Sequence, residues 1–259
     1  MSRITVPLKF DSRAPSPQNA VDIFAGSWVS DFAEACPEVR AGALPLFTMD
    51  TRPADAAGVL GVNGRFDGMR ILELGPLEGG HTYQLEKLGA ASILSIEGNA
   101  EAYLKCLITK EITGLAKTRF LYGDFTKYII SPVERYDLVF CSGVLYHMTD
   151  PIAVIRNIAK ITDKCFVWTQ YYDKDHYQGP KRRKRYDPRY PGVVLYVHDL
   201  GQLDMDSDNY LGGMHQQTVW LSREDLLAVF SEAGFVNLEI IEDNPDAEIG
   251  ASITFAAWK

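Results

Sequence analysis

The chain has 259 residues and a formal net charge of −8, from 26 basic and 34 acidic side chains. This length suits one large α/β domain, and the apolar share of 46% excludes a disordered chain. The acidic balance disfavours a general nucleic-acid binder. The sequence has no apolar run of the roughly 18–20 residues that a membrane span needs, and its first residues lack a signal-peptide core.

The four cysteines indicate a reducing compartment. Cys36, Cys106, Cys141 and Cys165 have no CxxC spacing, which excludes a disulfide scaffold and a zinc ribbon. No His, Asp and Glu set has ligand spacing on a regular element, so we predict no metal site. We expect a cytoplasmic protein.

Regular elements begin near residue 68. Residues 1–66 are irregular, with several prolines, and short apolar stretches such as 21–35 favour one or two short helices. Strands are then predicted at 69–74, 91–97, 118–124, 136–145 and 164–171, with helices at 81–89, 99–114 and from Pro151. This alternation is typical of βαβ crossovers and a parallel, doubly wound sheet.

The C-terminal part changes the sheet from parallel to mixed. After a long irregular insertion (172–219), a helix begins at Ser222, and two strands follow at 235–242 and 251–258. The loop of about eight residues between these strands is too short for a crossover helix, so they are antiparallel neighbours. We predict a Rossmann-like, doubly wound mixed sheet of about seven strands, its last strand antiparallel, with an N-terminal helical extension.

The first strand ends in a glycine-rich turn. Ligands of an open α/β sheet lie beyond the carboxyl ends of its strands. Here the turn holds Glu73, Gly75, Pro76 and Gly79, and its glycines permit a sharp turn and a close ligand approach before a helix N-terminus.

The second and third strands also end in acids. Glu97, followed by Gly98, stands about 22 residues after Gly75, a distance at which an acid accepts hydrogen bonds from ribose hydroxyls. Asp124 follows the third strand, and Phe125 beside it offers an aromatic face for an adenine ring. These ends together favour a nucleoside cofactor over isolated turn residues.

The fourth strand end carries the catalytic candidates. Ser142 and Gly143 continue the predicted cofactor site, and Tyr146 and His147 follow where an acceptor would meet the cofactor. Imidazole is the side chain best suited to accept a proton near pH 7, so His147 is the candidate general base. A second interpretation stays open, in which His147 caps or packs against the next helix.

The pattern ExGxxxGG differs from the dinucleotide pattern GxGxxG and resembles the class I S-adenosylmethionine-dependent methyltransferases over residues 68–259. The resemblance implies S-adenosylmethionine as cofactor, and its cofactor-binding roles carry over to Glu73, Gly75, Gly79, Glu97, Asp124 and the segment around Gly143. The chain departs from the family's GxGxG at the central glycine. Within that family, SGVLYHMTDP resembles a segment of tRNA wobble-uridine carboxymethyltransferases.

The insertion is predicted to roof an acceptor pocket. Tyr171, Tyr172, His215 and Gln216 are the candidate substrate-binding residues, because polar aromatic side chains suit a polar acceptor. The basic run 181–185 suits either phosphate or tRNA contact or a solvated loop, and we favour the loop.

The predicted organisation is an N-terminal extension (1–66) before a methyltransferase domain (67–259). The extension is a cover over the cofactor, a dimer contact or, as we favour, ordinary core packing. The predicted function is methyl transfer to oxygen or nitrogen of a small polar metabolite or sugar-like acceptor. The alternatives are a tRNA uridine alkyl- or carboxymethyltransferase, a nicotinamide oxidoreductase and a non-catalytic cofactor-binding protein.

Overall fold

The computed structural model describes residues 10–32, 34–131, 134–175, 182–200, 213–247 and 250–259. The strands in this part of the chain are β1 (Arg70–Leu74), β2 (Ser92–Glu97), β3 (Thr118–Tyr122), β4 (Leu138–Ser142), β5 (Lys164–Gln170), β6 (Arg183–Arg185), β7 (Leu195–Asp199), β8 (Gln217–Trp220), β9 (Asn237–Asn244) and β10 (Ser252–Trp258). The α-helices are α1 (Pro17–Val21), α2 (Arg52–Leu60), α3 (Gly80–Lys87), α4 (Ala100–Thr113), α5 (Phe125–Ile129), α6 (Pro151–Ile161) and α7 (Arg223–Glu232), with 3₁₀ turns at Asp22–Phe24 and Leu145–His147.

Seven strands form the main sheet, in the order β3-β2-β1-β4-β5-β10-β9. The pairs from β3 to β5 are parallel, whereas β10 is antiparallel to both β5 and β9. The predicted mixed sheet with an antiparallel last strand is therefore confirmed. Because the order reverses between β1 and β4, the carboxyl ends of these two strands flank a crevice that is open to a ligand.

Helices cover both faces of this sheet. Successive residues of a strand point to opposite faces, so Ile71 packs with Leu85 and Phe140 on one face, while Leu72 packs in a larger core on the other. That larger core includes Phe255 of β10. Burial on both faces explains why the central strands read as nearly continuous apolar runs.

Helix boundaries follow the capping residues of the sequence. The side chain of Asn99 accepts hydrogen bonds from the backbone N–H groups of Glu101 and Ala102, and Gly114 ends the same helix in a left-handed conformation. Asp150 and Ser222 cap the starts of α6 and α7 in the same way. These predicted starts and ends are confirmed.

The N-terminal segment is more regular than predicted. Helix α2 was not expected, although Pro53 in its first turn is a start signal that the sequence contains. Its residues Ala56, Ala57 and Leu60 are buried against the main sheet. A second apolar cluster packs the preceding residues around Phe32. The prediction of an irregular segment was wrong for residues 52–60.

The insertion also carries regular structure. Strands β6, β7 and β8 form an antiparallel three-stranded sheet, so the prediction of an irregular insertion was wrong. Arg182 is only 7% exposed, and its guanidinium lies 3.6 Å from the centre of the Trp220 ring. The solvated-loop interpretation of the basic run is thus wrong for Arg182, while Arg183 and Lys184 are exposed. Lys181 lies outside the described residues.

No helix among the described residues combines the length and the apolar character needed to cross a bilayer.

Candidate functional site

The glycine-rich turn after β1 has three residues in left-handed conformations. Gly75 and Gly79 have φ of +65° and +85°, and Leu77 between them has φ of +57°. A left-handed conformation costs a non-glycine residue ~1–2 kcal/mol. Leu77 stands at the central glycine position of the family's GxGxG. It adopts the left-handed conformation that favours glycine, although it is a leucine. The Leu77 N–H donates to Glu97 Oε2 over 3.1 Å, which helps to hold this conformation.

Glu97 joins the turn to the start of α4. It is 8% exposed, and its other oxygen accepts from the Asn99 N–H over 2.8 Å. Burial raises the pKa of Glu97, while these backbone hydrogen bonds oppose the shift. A carboxylate offers about four acceptor positions, so its contacts with the backbone N–H groups of Leu77, Gly98 and Asn99 leave capacity for a ligand hydroxyl.

Glu73 is a buried acid beneath the turn. Its Oε2 accepts from Ser95 Oγ over 2.6 Å and also from Thr82 Oγ1, whereas Oε1 has no hydrogen-bond partner among the described residues. Burial raises the pKa of Glu73. A buried acceptor without a donor is costly, so a ligand group that donates hydrogen bonds would be stabilised here.

The third strand end carries Asp124 and Phe125, which are both engaged within the protein. Asp124 caps α5, since its Oδ1 accepts from the Thr126 N–H over 2.8 Å and from the Thr126 hydroxyl over 2.6 Å. Phe125 is 9% exposed and belongs to the main core. Its role as a cover for adenine stays a prediction, and this packing disfavours it.

The carboxyl end of β4 lies against the turn after β1. A Cβ atom added to Gly75 would lie 3.2 Å from Val144 Cγ2, and the Gly143 N–H donates to the Trp168 carbonyl of β5 over 2.9 Å. The ends of β1, β2 and β4 therefore bring most predicted cofactor residues to one edge: Glu73, Gly75, Pro76, Gly79, Glu97, Gly98, Ser142 and Gly143.

Tyr146 and His147 lie at this edge as predicted, but they titrate differently from free side chains. Their ring centres are 4.0 Å apart. Burial lowers the pKa of His147 to about 4 and raises that of Tyr146 to about 12. Both groups are therefore uncharged at neutral pH. A neutral imidazole can accept a proton, but its low pKa makes it a weaker base than the sequence suggested.

A charged cluster that the sequence did not reveal completes this edge. Asp50 lies 2.9 Å from Nε2 of His81 and forms an ion pair with Arg52. Burial alone would raise the pKa of Asp50, but the hydrogen bonds with His81 and Arg52 hold it well below its usual range. Arg52 Nη1 donates to Ser142 Oγ over 3.0 Å, and its guanidinium lies 4.9 Å from the centre of the Trp168 ring. The first residue of α2 thus places a cation beside β4.

Glu78 holds the N-terminal segment before α2 in place. Its buried carboxylate accepts from the backbone N–H groups of Val29 and Ser30 and from Lys105 Nζ, at 2.7–3.2 Å. Lys105 also bonds the Ser27 carbonyl and pairs with Glu101. Sequence analysis missed Glu78, because a glutamate inside a turn gives no sign of such distant partners.

The predicted substrate-binding residues divide into two pairs. Tyr171 is buried, with its hydroxyl donating to Asp243 over 2.9 Å, and Tyr172 stacks on Tyr196 at 3.8 Å beside a cleft of about 300 Å³. His215 and Gln216 are exposed just before β8. All four roles stay predictions. Among the described residues, no group of three or more His, Cys, Asp or Glu side chains could hold a metal ion.

Comparisons with known proteins agree with this geometry. A family model described as a methyltransferase domain matches residues 65–178, which contain the glycine-rich turn, Glu97 and His147. These residues form a class I, S-adenosylmethionine-dependent methyltransferase domain. The family predicted from the sequence is confirmed.

Solved structures extend the likeness of the methyltransferase domain to most of the chain. The N-terminal domain of EvdMO1, crystallised in the presence of SAH and D-fucose, superposes with a TM-score of 0.66. It is 24% identical, and the match covers 86% of this chain and 88% of that one. The part of the chain that superposes therefore has a methyltransferase fold.

Curated relatives match shorter segments. The tRNA U34 carboxymethyltransferase of Campylobacter lari is 23% identical over 142 residues, covering 52% of this chain and 46% of the relative. Cycloartenol-C-24-methyltransferase 1 of Oryza sativa subsp. japonica is 25% identical over 114 residues, covering 43% and 33%. The chain thus spans less than half the length of either relative.

Proposed function

We propose that the protein is an enzyme that transfers a methyl group from S-adenosylmethionine to oxygen or nitrogen of a small polar or sugar-like acceptor. One observation carries the proposal. The glycine-rich turn, the ribose-type acid Glu97 and the Asp50–Arg52 ion pair meet at the crevice between β1 and β4.

The donor set fits the methyl donor chemically. S-adenosylmethionine carries ribose hydroxyls, a carboxylate and an ammonium, and its sulfonium supplies an electrophilic methyl group. Glu97 would accept from the ribose hydroxyls, and Arg52 would hold the carboxylate with its charged N–H donors. The unpartnered Oε1 of Glu73 and the negative charge of Asp50 favour the ammonium at the same edge.

The acceptor region is aromatic and polar. The ring of Tyr146 meets those of Trp168 and Trp220 edge to face, at 5.6 and 6.3 Å between ring centres. Such side chains combine an apolar ring with a polar group, which suits an acceptor that carries both C–H faces and hydroxyl groups. The presence of D-fucose in the EvdMO1 structure supports a sugar-like acceptor.

Alignment of the acceptor and exclusion of water supply most of the rate in this proposal. Bound S-adenosylmethionine would supply its methyl carbon to the acceptor atom and keep the electron pair of the carbon–sulfur bond on sulfur. The acceptor's proton passes to the neutral imidazole of His147, which lies at the end of β4. Fixed geometry in a buried site lowers the barrier of such an in-line displacement.

Two measurements test the proposal. Calorimetry should detect S-adenosylhomocysteine binding, and mass spectrometry should detect acceptors that gain one CH₂ unit from labelled S-adenosylmethionine, with D-fucose and its glycosides in the first panel. Binding of NAD(H) without S-adenosylhomocysteine would overturn the donor. Donor binding without turnover of any metabolite in a lysate would favour the non-catalytic alternative.

RNA modification is the second candidate, because the C. lari relative and the SGVLYHMTDP segment both point to it. The net charge of −8 and the burial of Arg182 disfavour it. Retention of tRNA by the protein at low salt, together with labelling of a uridine, would make RNA the acceptor.

A further inference from the structure

Strand β8 and the residues just before it lie against the turn that carries His147. The Val219 N–H donates to the Met148 carbonyl over 2.8 Å, and Trp220 Nε1 donates to the Tyr146 carbonyl over 3.0 Å. Gly213 lies against the same turn, since a Cβ atom there would be 2.9 Å from both Cβ and the carbonyl oxygen of His147. The insertion thus returns to the sheet along the end of β4.

The next residue, Met214, reaches the ends of β2 and β3. A Cβ atom added to Gly98 would lie 2.9 Å from Met214 Sδ and 3.5 Å from Met214 Cγ. The same point lies 3.7 Å from the carbonyl oxygen of Gly123, which precedes Asp124. Gly98 directly follows Glu97. The thioether therefore stands beside the residues next to Glu97 and Asp124, the acids predicted to hold ribose and adenine, and the missing side chain at Gly98 makes room for it.

The position of Met214, rather than its exposure, points to a role in binding. The residue is 48% exposed, and single exposed apolar side chains are common. Here, however, the exposed thioether adjoins the backbone of Gly98, directly after β2. A thioether is flexible and polarizable, and it makes favourable contacts with aromatic rings.

We propose that Met214 forms the outer wall of the nucleoside subsite and packs on the adenosine part of the methyl donor. The insertion then binds the donor as well as roofing the acceptor. This inference rests on the proposed function, because it takes S-adenosylmethionine as the donor.

Calorimetry on four proteins tests it: wild type, Met214→Ala, Met214→Leu and Val236→Ala. Val236 is the matched control, an apolar side chain 71% exposed before β9, at the opposite edge of the sheet. The ligands are S-adenosylhomocysteine and 5′-methylthioadenosine, which keeps the nucleoside but lacks the carboxylate and ammonium. Met214→Ala should raise Kd about tenfold for both ligands through lost apolar contact, while Met214→Leu and Val236→Ala stay near wild type.

Oxidation of methionine by hydrogen peroxide gives a second readout that needs no turnover. Peptide mass spectrometry should show that saturating S-adenosylhomocysteine slows oxidation of Met214 several-fold. Met69 is the internal control, because it lies partly buried just before the amino end of β1, away from the carboxyl ends of the strands. Its oxidation rate should not change.

The outcomes separate this inference from the function beneath it. Suppose that wild type binds S-adenosylhomocysteine, that Met214→Ala binds each ligand as tightly as wild type does, and that the ligand does not protect Met214 from oxidation. Met214 then does not form a wall of the nucleoside subsite, while S-adenosylmethionine remains the proposed donor. Weakening for S-adenosylhomocysteine alone also overturns the wall, because the contact would then not be with the nucleoside. A wild-type protein that binds neither ligand overturns both the proposed function and the wall.

Discussion

The two halves of the cofactor crevice are built in different ways. The half at the ends of β1 and β2 is local: Glu97 bonds the backbone of Leu77, 20 residues away, and of Asn99, two residues away. The half at the ends of β1 and β4 depends on Arg52, which contacts Ser142 across 90 residues of sequence, and on a segment held by Glu78. The first half can form with the sheet itself, whereas the second exists only once the N-terminal segment has docked.

Gly75→Val should have the largest effect, because Gly75 lies where the two halves meet. Its φ of +65° strains any β-branched residue, and the new side chain would crowd Val144. We expect loss of S-adenosylhomocysteine binding by calorimetry in a protein with unchanged circular dichroism. Wild-type affinity in this variant would place the ligand elsewhere.

His147→Ala should affect turnover rather than either half of the crevice. If His147 accepts the acceptor's proton, kcat should fall by roughly 10²–10⁴-fold, with little change in S-adenosylhomocysteine affinity. The wild-type rate should decline only as the pH falls towards about 4, because burial lowers the pKa of His147 to about 4. A variant that keeps near-wild-type kcat would remove His147 from the mechanism.

Glu78→Ala should destabilise the half of the crevice at the ends of β1 and β4, which depends on the N-terminal segment. It removes the acceptor of two backbone N–H groups and of the buried Lys105, so we expect the free energy of unfolding to fall by about 3 kcal/mol. Urea denaturation gives this value. Glu101→Ala is the matched control: Glu101 is Lys105's more exposed partner, and its loss should cost under about 1 kcal/mol. If both variants lose the same free energy of unfolding, Glu78 contributes no more to stability than the exposed Glu101 does.

Arg52→Met and Glu97→Ala should separate the halves by ligand. Loss of charged hydrogen bonds at Arg52 should weaken S-adenosylhomocysteine by about 2 kcal/mol and leave 5′-methylthioadenosine unchanged. Glu97→Ala should weaken both ligands by roughly 1.5–3 kcal/mol, since both carry the ribose. Arg65→Met is the control, because Arg65 forms a similar but exposed pair with Asp67. If the Arg52 and Glu97 variants lose affinity for the two ligands in the same proportions, the two halves do not bind different parts of the ligand.

The smallest effect concerns the pH dependence of stability. The pKa of His147 is about 4 when folded and near 6.5 when unfolded, so the unfolded chain binds more protons between these values. Stability should therefore fall by about 1.5–2 kcal/mol from pH 7 to pH 5 on account of this residue. Comparing urea denaturation of wild type and His147→Gln at both pH values isolates it. An identical pH dependence in the two proteins would mean that His147 titrates normally.

The sequence predicted the sheet and the local half of the site because both are encoded over short distances. Glycines, capping residues and apolar runs mark each βα unit, and Glu97 stands at a fixed distance from Gly75. Arg52 and Glu78 could not be found this way, because their roles come from contacts with remote residues. The position of His147 was predicted but not its pKa, which depends on burial by the whole fold. The strands of the insertion were missed, although the alternation of buried Leu195 and Val197 with Tyr196 between them is a readable strand signal.

The contact between Glu78 and residues 29–30 bears on where this chain can be divided. We predicted a boundary between residues 66 and 67, yet cutting there would strip the buried Glu78 carboxylate of two of its three donors and Lys105 of the Ser27 carbonyl. Apolar residues of α2 and the cluster around Phe32 would also leave their places against the sheet and the helices. The piece from 67 onward would expose a buried ion pair to water and lose the cation beside β4. We therefore expect the N-terminal segment to belong to the folding unit, so that trimming it yields a protein that is both less stable and unable to hold a carboxylate-bearing ligand.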